Sequence, residues 1–149
     1  MSNPYDAYRK VQFETADPGQ LLLMLYQGAV KSLDLADTAL TRGDLVASNK
    51  EIIRTQNILL ELLGSLDYSH GDIPQTLSEL YTYLYQALIE ANVRKDLGTL
   101  RRVRGIVARL REAWETAVNA AKGNVVPTAG VEVRVYSGHG GLSDVRAAS

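Results

Sequence analysis

Cysteine is absent from the 149 residues. Disulfides, zinc–thiolate sites, iron–sulfur clusters and cysteine nucleophiles are excluded together. The fold must then stand on packing alone, and nothing asks for an oxidising compartment. Histidine is nearly absent: only His70 and His139 occur, neither with a carboxylate at a helical ligand spacing, and there is no Glu-x-x-His pattern of the di-iron bundles. No phosphate-cradling glycine loop is present. Gly138-His139-Gly140-Gly141 has no nucleophile elbow to accompany it and is read as flexible tail. No catalytic, metal-ligating or cofactor-binding residue is therefore assigned, no cofactor is expected, and an enzyme is not expected. Neither charge sign dominates: 16 Lys and Arg face 17 Asp and Glu, for a net charge of −1. That balance argues against wrapping nucleic acid over most of the surface. The longest dense apolar run, Leu21 to Tyr26, is far shorter than the ~20 residues of a membrane span. The opening MSNPYDAYRKVQFE lacks the apolar core of a signal peptide. The expectation is a soluble, cytoplasmic protein without an integral membrane segment.

What is present is helical periodicity. Hydrophobic residues make up 46% of the chain and recur every three or four positions in four long segments, with Pro and Gly between them. Asp17-Pro18-Gly19-Gln20 opens the first as a cap, a first-turn proline and a capping-box Gln. Leu21, Leu25, Ala29, Ser32, Ala36 and Leu40 follow on one face, with Leu22, Tyr26, Val30 and Leu33 beside it, up to a stop at Gly43. Asp44 caps a second helix carrying Leu45, Ile52, Leu59, Leu62, Leu63 and Leu66. Asp67 to Pro74 reads as a loop. A third helix runs through Leu77, Leu80, Tyr81, Leu84, Leu88 and Ala91, and a fourth follows Asp96 with Leu100, Val103, Val107, Leu110, Trp114 and Ala117, ending near Gly123. Short connections favour antiparallel neighbours, so the expected fold is all-α: an antiparallel up-and-down four-helix bundle over 17–122. Residues 1–16 add a short amphipathic capping segment with Tyr5, Tyr8 and Val11 three apart. Residues 123–149, Gly-rich with Val131, Val133 and Val135 alternating, are expected to form a flexible tail.

Two features exceed what a small bundle needs. Arg94, Lys95, Arg101, Arg102, Arg104, Arg109 and Arg111 crowd into eighteen residues against the single acid Asp96. They suit phosphates on one side of the fourth helix or a solvated face paired with acids on neighbouring helices; lacking interleaved aromatics, the solvated face is preferred and no nucleic-acid partner is expected. Apolar residues also stray beyond one core stripe. Ile53 and Leu60 lie seven apart beside the second helix's core row; Tyr83 falls away from the third helix's core, Tyr85, Ile89 and Asn92 form their own row, and Ile106 widens the fourth. These describe either a wide core face or a groove for an apolar partner segment. Gln56, Asn57 and Asn92 lie close enough to hydrogen-bond a visiting backbone, or to serve the bundle's own helices. Tyr5 and Tyr8 fit a permanent cap or a lid that leaves when the partner arrives.

Several blocks resemble the flagellar secretion chaperone family FliS. They are Asn3-Pro4-Tyr5-Asp6-Ala7-Tyr8, Thr15 to Leu21 running into Leu23-Met24-Leu25-Tyr26-Gln27-Gly28, Gln56-Asn57-Ile58 with Glu61-Leu62, Ser65-Leu66-Asp67, Leu80 to Leu84, Glu90-Ala91-Asn92, and Arg111-Glu112-Ala113-Trp114. Each is weak alone, but together they cover residues 3 to about 118 in the family's order and spacing. The resemblance implies an antiparallel bundle that binds flagellin's disordered C-terminal segment in apolar grooves, prevents premature polymerisation and delivers it to the flagellar type III export apparatus in the cytoplasm. It also implies an N-terminal segment that covers part of that surface until the client binds, and other flagellar regulatory proteins as further partners. The tail after Gly123 departs from the family pattern.

Overall fold

A computed structural model of the chain describes residues 18–69 and 71–121. The described residues are all-helical, in the order α1 (Pro18–Thr41), α2 (Leu45–Gly64), α3 (Ile73–Arg94) and α4 (Leu97–Ala121), with no strand among them. The capping segment with Tyr5 and Tyr8, the Asp17 cap, His70 and the tail with Gly123 and His139 lie outside the described residues.

The ends of the helices follow local chemistry. After α1, Gly43 takes a left-handed conformation, φ 79°, which glycine adopts without a Cβ clash. Asp44 then caps α2, its Oδ1 accepting from the Ala47 N–H at 3.1 Å. The loop before α3 is displaced from the 67–74 the sequence suggests: α2 already ends at Gly64, leaving Leu66 outside it, and α3 starts at Ile73, with Pro74 in its first turn, where its missing N–H breaks no helical bond. α3 ends on Lys95 in the left-handed conformation, φ 53°, a turn usually made by glycine and invisible to sequence pattern. Asp96 caps α4 with its Oδ1 3.2 Å from the Thr99 N–H. Leu45, expected in the core, is instead 48% exposed, because as the first residue of α2 it stands at the bundle's end.

The chain divides into two compact units, 25–111 and the remainder. The first contains most of all four helices and is an antiparallel four-helix bundle. A Cβ placed on Gly28 of α1 would meet Ile58 of α2 at 3.5 Å, while Ser32 and Thr55 bring their hydroxyls within 2.6 Å, so residue numbers rise on one helix as they fall on the other. The same sense relates α1 to α4, through Asp34–Arg104 and Asp37–Arg101, while Asn49–Asn92 joins the first turns of α2 to the last turn of α3, as in antiparallel neighbours. Tyr26, Leu33, Ile52, Ile58, Leu59, Leu62, Tyr81, Leu84, Leu88, Leu100, Val103 and Val107 fill the interior. Its few polar groups are mostly paired: Tyr26 and Tyr81 join hydroxyls at the centre, and Ser32 and Thr55 also reach carbonyls of their own helices. In the other unit, the described ends of α1 and α4 bury Leu23, Trp114, Ala117 and Val118. Among the described residues no helix is long and apolar enough to cross a membrane.

Candidate functional site

The apolar surplus lies on both flanks of α3. With about 100° of turn per residue, Tyr83 and Tyr85 point some 200° apart, so the two tyrosines serve different seams. One seam lies between α2 and α3. On α2, Ile53 and Leu60 are each nearly half exposed, and Val46 extends the same row by seven residues at 82% exposure. Asn49, one turn before Ile53, accepts a 2.7 Å hydrogen bond from the Asn92 Nδ2, which fixes this flank of α2 against α3. Tyr85, Ile89 and Asn92 share the α3 flank on that seam, since residues three and four apart stack on one helix face. Ile89 is exposed and Tyr85 and Asn92 are half-buried.

The polar residues expected beside this seam separate. Asn92 bonds the bundle's own Asn49 and also accepts from Lys95 Nζ at 3.0 Å. Gln56 is only 9% exposed and sits on the core side of the Ile53–Leu60 row, whereas Asn57 stays half-exposed on its outer side. Sequence reasoning missed Val46 and Asn49. Both were legible as the residues seven before Ile53 and Gln56, at the same helical phase.

On its α4 side, α3 meets Arg102, and a hollow of about 580 Å³ lies over the exposed face of α3 there, with Ile89 shared between this hollow and the α2–α3 row. Tyr83, Ala87, Ile89 and Val93 give it apolar walls, and Gln86, Glu90, Arg94 and Arg102 its polar rim. Tyr83 is fixed across the seam by a 3.3 Å hydrogen bond from Arg102 Nε to its hydroxyl. Val93, at 77% exposure, was also missed, though it stands one turn beyond Ile89. Ile106, half-buried on α4, lies one turn from Arg102.

The arginine run resolves into individual roles. Arg101 and Arg104 face α1, with Nε at 2.7 Å from Asp37 and 2.8 Å from Asp34. The hydrogen bond from Arg101 holds the Asp37 carboxyl below its usual range, against the opposing effect of desolvation, and it raises the Arg101 pKa in turn. Arg94 pairs with Glu90 at 3.6 Å one turn earlier on its own helix. Asp96 is likewise lowered, first by the Thr99 hydroxyl bond and then by the capped backbone, with Arg102 adding a weaker pull. Deeper in, burial pushes the Tyr81 phenol up to about 12, partly offset by the Tyr26 hydroxyl. These arginines chiefly complete the bundle's own surface.

A model of the family described as Flagellar protein FliS matches residues 1–121. The chain belongs to the FliS family. It is 36% identical over 122 residues to the flagellar secretion chaperone FliS of Bacillus subtilis, covering 82% of this chain and 91% of that protein. The FliS of Salmonella typhimurium is also 36% identical, over 73% of this chain and 85% of its own length. That of Campylobacter jejuni is 32% identical, over 77% and 91%. The family is one of flagellar secretion chaperones, not of enzymes. Its match spans α1 to α4 and residues 1–17, and stops where the Gly- and Val-rich tail begins.

Proposed function

We propose that the chain is a cytoplasmic export chaperone that binds the disordered C-terminal segment of flagellin, prevents its premature polymerisation and delivers it to the flagellar type III export apparatus. The observation that carries this reading is the pair of apolar rows at the α2–α3 seam, Val46–Ile53–Leu60 and Tyr85–Ile89, which the bundle leaves in water although its core is full. An amphipathic client segment laid there as a helix would bury both rows and withdraw its own apolar face from other flagellins. Asn57 and Asn92 stand beside the rows as candidate partners for client polar groups, while Tyr83 and Ile106 extend the candidate surface to the α3–α4 seam. Gln56, mostly buried, would support that surface more than touch a client. Tyr5 and Tyr8 retain the lid role implied by family resemblance.

Ordering a disordered client costs about 2–5 kcal/mol or more of the gross interaction energy, which keeps the complex reversible enough for hand-over. Calorimetric titration of the full chain with the flagellin C-terminal segment tests the reading. The expected result is a saturable one-to-one isotherm with a negative heat-capacity change. A folded chaperone that gives no heat at high micromolar client, with and without residues 1–16, would contradict it.

A further inference from the structure

We propose that the α3–α4 seam docks an acidic amphipathic helix, with two carboxylates seven residues apart meeting Arg102 and Arg109. As part of a client surface this rests on the chaperone reading above, but the charge preference itself is testable without flagellin.

The inference starts from an asymmetry along α4. Arg101 and Arg104, on one flank, are each held by a carboxylate of α1 at under 3 Å. Arg102 and Arg109, on the other flank, have no carboxylate in ion-pair range among the described residues. Arg102 spends one N–H on the Tyr83 hydroxyl, and Arg109 folds back along its own helix, its Nη1 3.8 Å from where a Cβ on Gly105 would lie. Both are exposed. Seven residues separate them, two helical turns or roughly 10.5 Å, so both guanidinium groups address one straight partner. Along this flank four cations, Arg94, Lys95, Arg102 and Arg109, stand with four carboxylates: Glu79 one turn before Tyr83, Glu90, Asp96, and Glu112 three residues after Arg109. Glu79 is engaged by Gln75, Glu90 by Arg94 and Asp96 by Thr99, and among the described residues no carboxylate comes within ion-pair distance of Arg102 or Arg109, so a partner can supply the acceptors these two guanidinium groups lack.

Charge alone would attract any polyanion. Beside Arg102, however, lies the hollow of about 580 Å³ walled by Tyr83, Ile89 and Val93, with Arg109 two turns further along α4. An occupant must therefore bring apolar side chains as well as carboxylates, and an amphipathic helix with its acids at the edge of its apolar face supplies both. A nucleic-acid strand supplies phosphates but no aliphatic side chains for these walls. Gly105, between the two arginines, has no neighbour other than the Arg109 tip within 4 Å of a built Cβ, so a partner can approach the α4 backbone there.

The test uses the full chain and a designed 21-residue amphipathic peptide with leucines on one face and two glutamates seven apart at its border. A second peptide carries lysines in place of those glutamates. At low salt the glutamate peptide should bind about tenfold more tightly than the lysine peptide, shifting amide NMR signals of residues 83–94 and 98–109. In Arg102→Glu/Arg109→Glu the preference should reverse, and in Arg102→Gln/Arg109→Gln it should vanish, with helical content unchanged in both because neither arginine is buried. Equal binding of the two peptides, no binding of either, or a glutamate preference that survives the charge reversal would each overturn the proposal. A flagellin titration of the same variants separates the two readings: client binding that persists without the charge preference overturns this inference and leaves the chaperone reading standing.

Discussion

The seam between α1 and α4 and the seams on either side of α3 are built from similar helices yet are finished differently. The first is closed by two carboxylate–guanidinium pairs, Asp34–Arg104 and Asp37–Arg101, so its charges are satisfied within the chain. Beside α3, by contrast, Ile53, Leu60, Tyr83 and Ile89 stay nearly half exposed, and among the described residues Arg102 and Arg109 have no carboxylate within ion-pair distance. Fold stability does not require exposed aliphatic side chains, since each leaves apolar area unburied. The contrast separates the surface a bundle completes for itself from the surface it leaves for a partner.

The largest effect should come from breaking the contrast at adjacent residues. Leu88 is fully buried and Ile89 is exposed, although both are large aliphatics on α3. Leu88→Ala should cost about 2–5 kcal/mol in denaturant unfolding. Ile89→Ala should change stability by only about 0.5 kcal/mol while weakening client binding. A comparable loss of stability at both would mean that the Ile89 row belongs to the core.

Next in size is the central tyrosine pair. Tyr81→Phe removes the hydroxyl–hydroxyl bond to Tyr26 and should cost about 0.5–1.5 kcal/mol in denaturant unfolding. Because the folded Tyr81 phenol is raised from 10.0 to about 12, the unfolded chain loses this proton first as pH rises. Its contribution is thus fully present below pH 10 and should be lost as pH climbs through about 12, seen as a falling unfolding midpoint that Tyr81→Phe flattens.

Two backbone positions should move stability the other way. Lys95→Gly relieves a left-handed residue, and Gly105→Ala fills open space within a helix; each should stabilise by about 0.5–1 kcal/mol in the same unfolding measurement. The smallest effect belongs to the closed seam: Asp37→Asn should cost about 0.2–1 kcal/mol at low salt and less at high salt. The Asp37 pKa is lowered in the folded chain, so its contribution is present above the unfolded value of 3.8 and fades as pH falls through the folded value. A loss at Asp37 as large as that at Tyr81 would contradict a surface role for the pair.

Most of the bundle was legible from helical period and punctuation. The rows through Leu25, Ile52, Leu84 and Val103 entered the core because a 3.6-residue repeat leaves them no other face. Gly43, Asp44 and Asp96 marked boundaries through their own backbone and capping chemistry. The Lys95 turn was not legible, since nothing in a lysine announces a left-handed backbone, and Leu45 showed that period alone does not say where a core ends. At the candidate site, helix phase set Ile53, Leu60, Tyr83 and Ile89 apart from the core stripes but left open whether they widened the core, and only the packed bundle shows them exposed. Which seam each addresses was not legible either, because that depends on which helices are neighbours. The division of the arginines was hidden for the same reason: Arg101 and Arg102 are consecutive in the chain, yet one meets Asp37 of α1 and the other Tyr83 of α3.

The most direct measurement is the affinity for the flagellin C-terminal segment of two variants, by calorimetry on chains whose helical content matches the parent. Ile53→Asp/Ile89→Asp places charge in the open seam, and Asp34→Asn/Asp37→Asn removes charge from the closed one. The account predicts that the first weakens binding about thirtyfold or more, as expected when apolar anchors are lost, and that the second leaves it unchanged. Equal affinities for the two variants, or a larger loss from the closed seam, would contradict it.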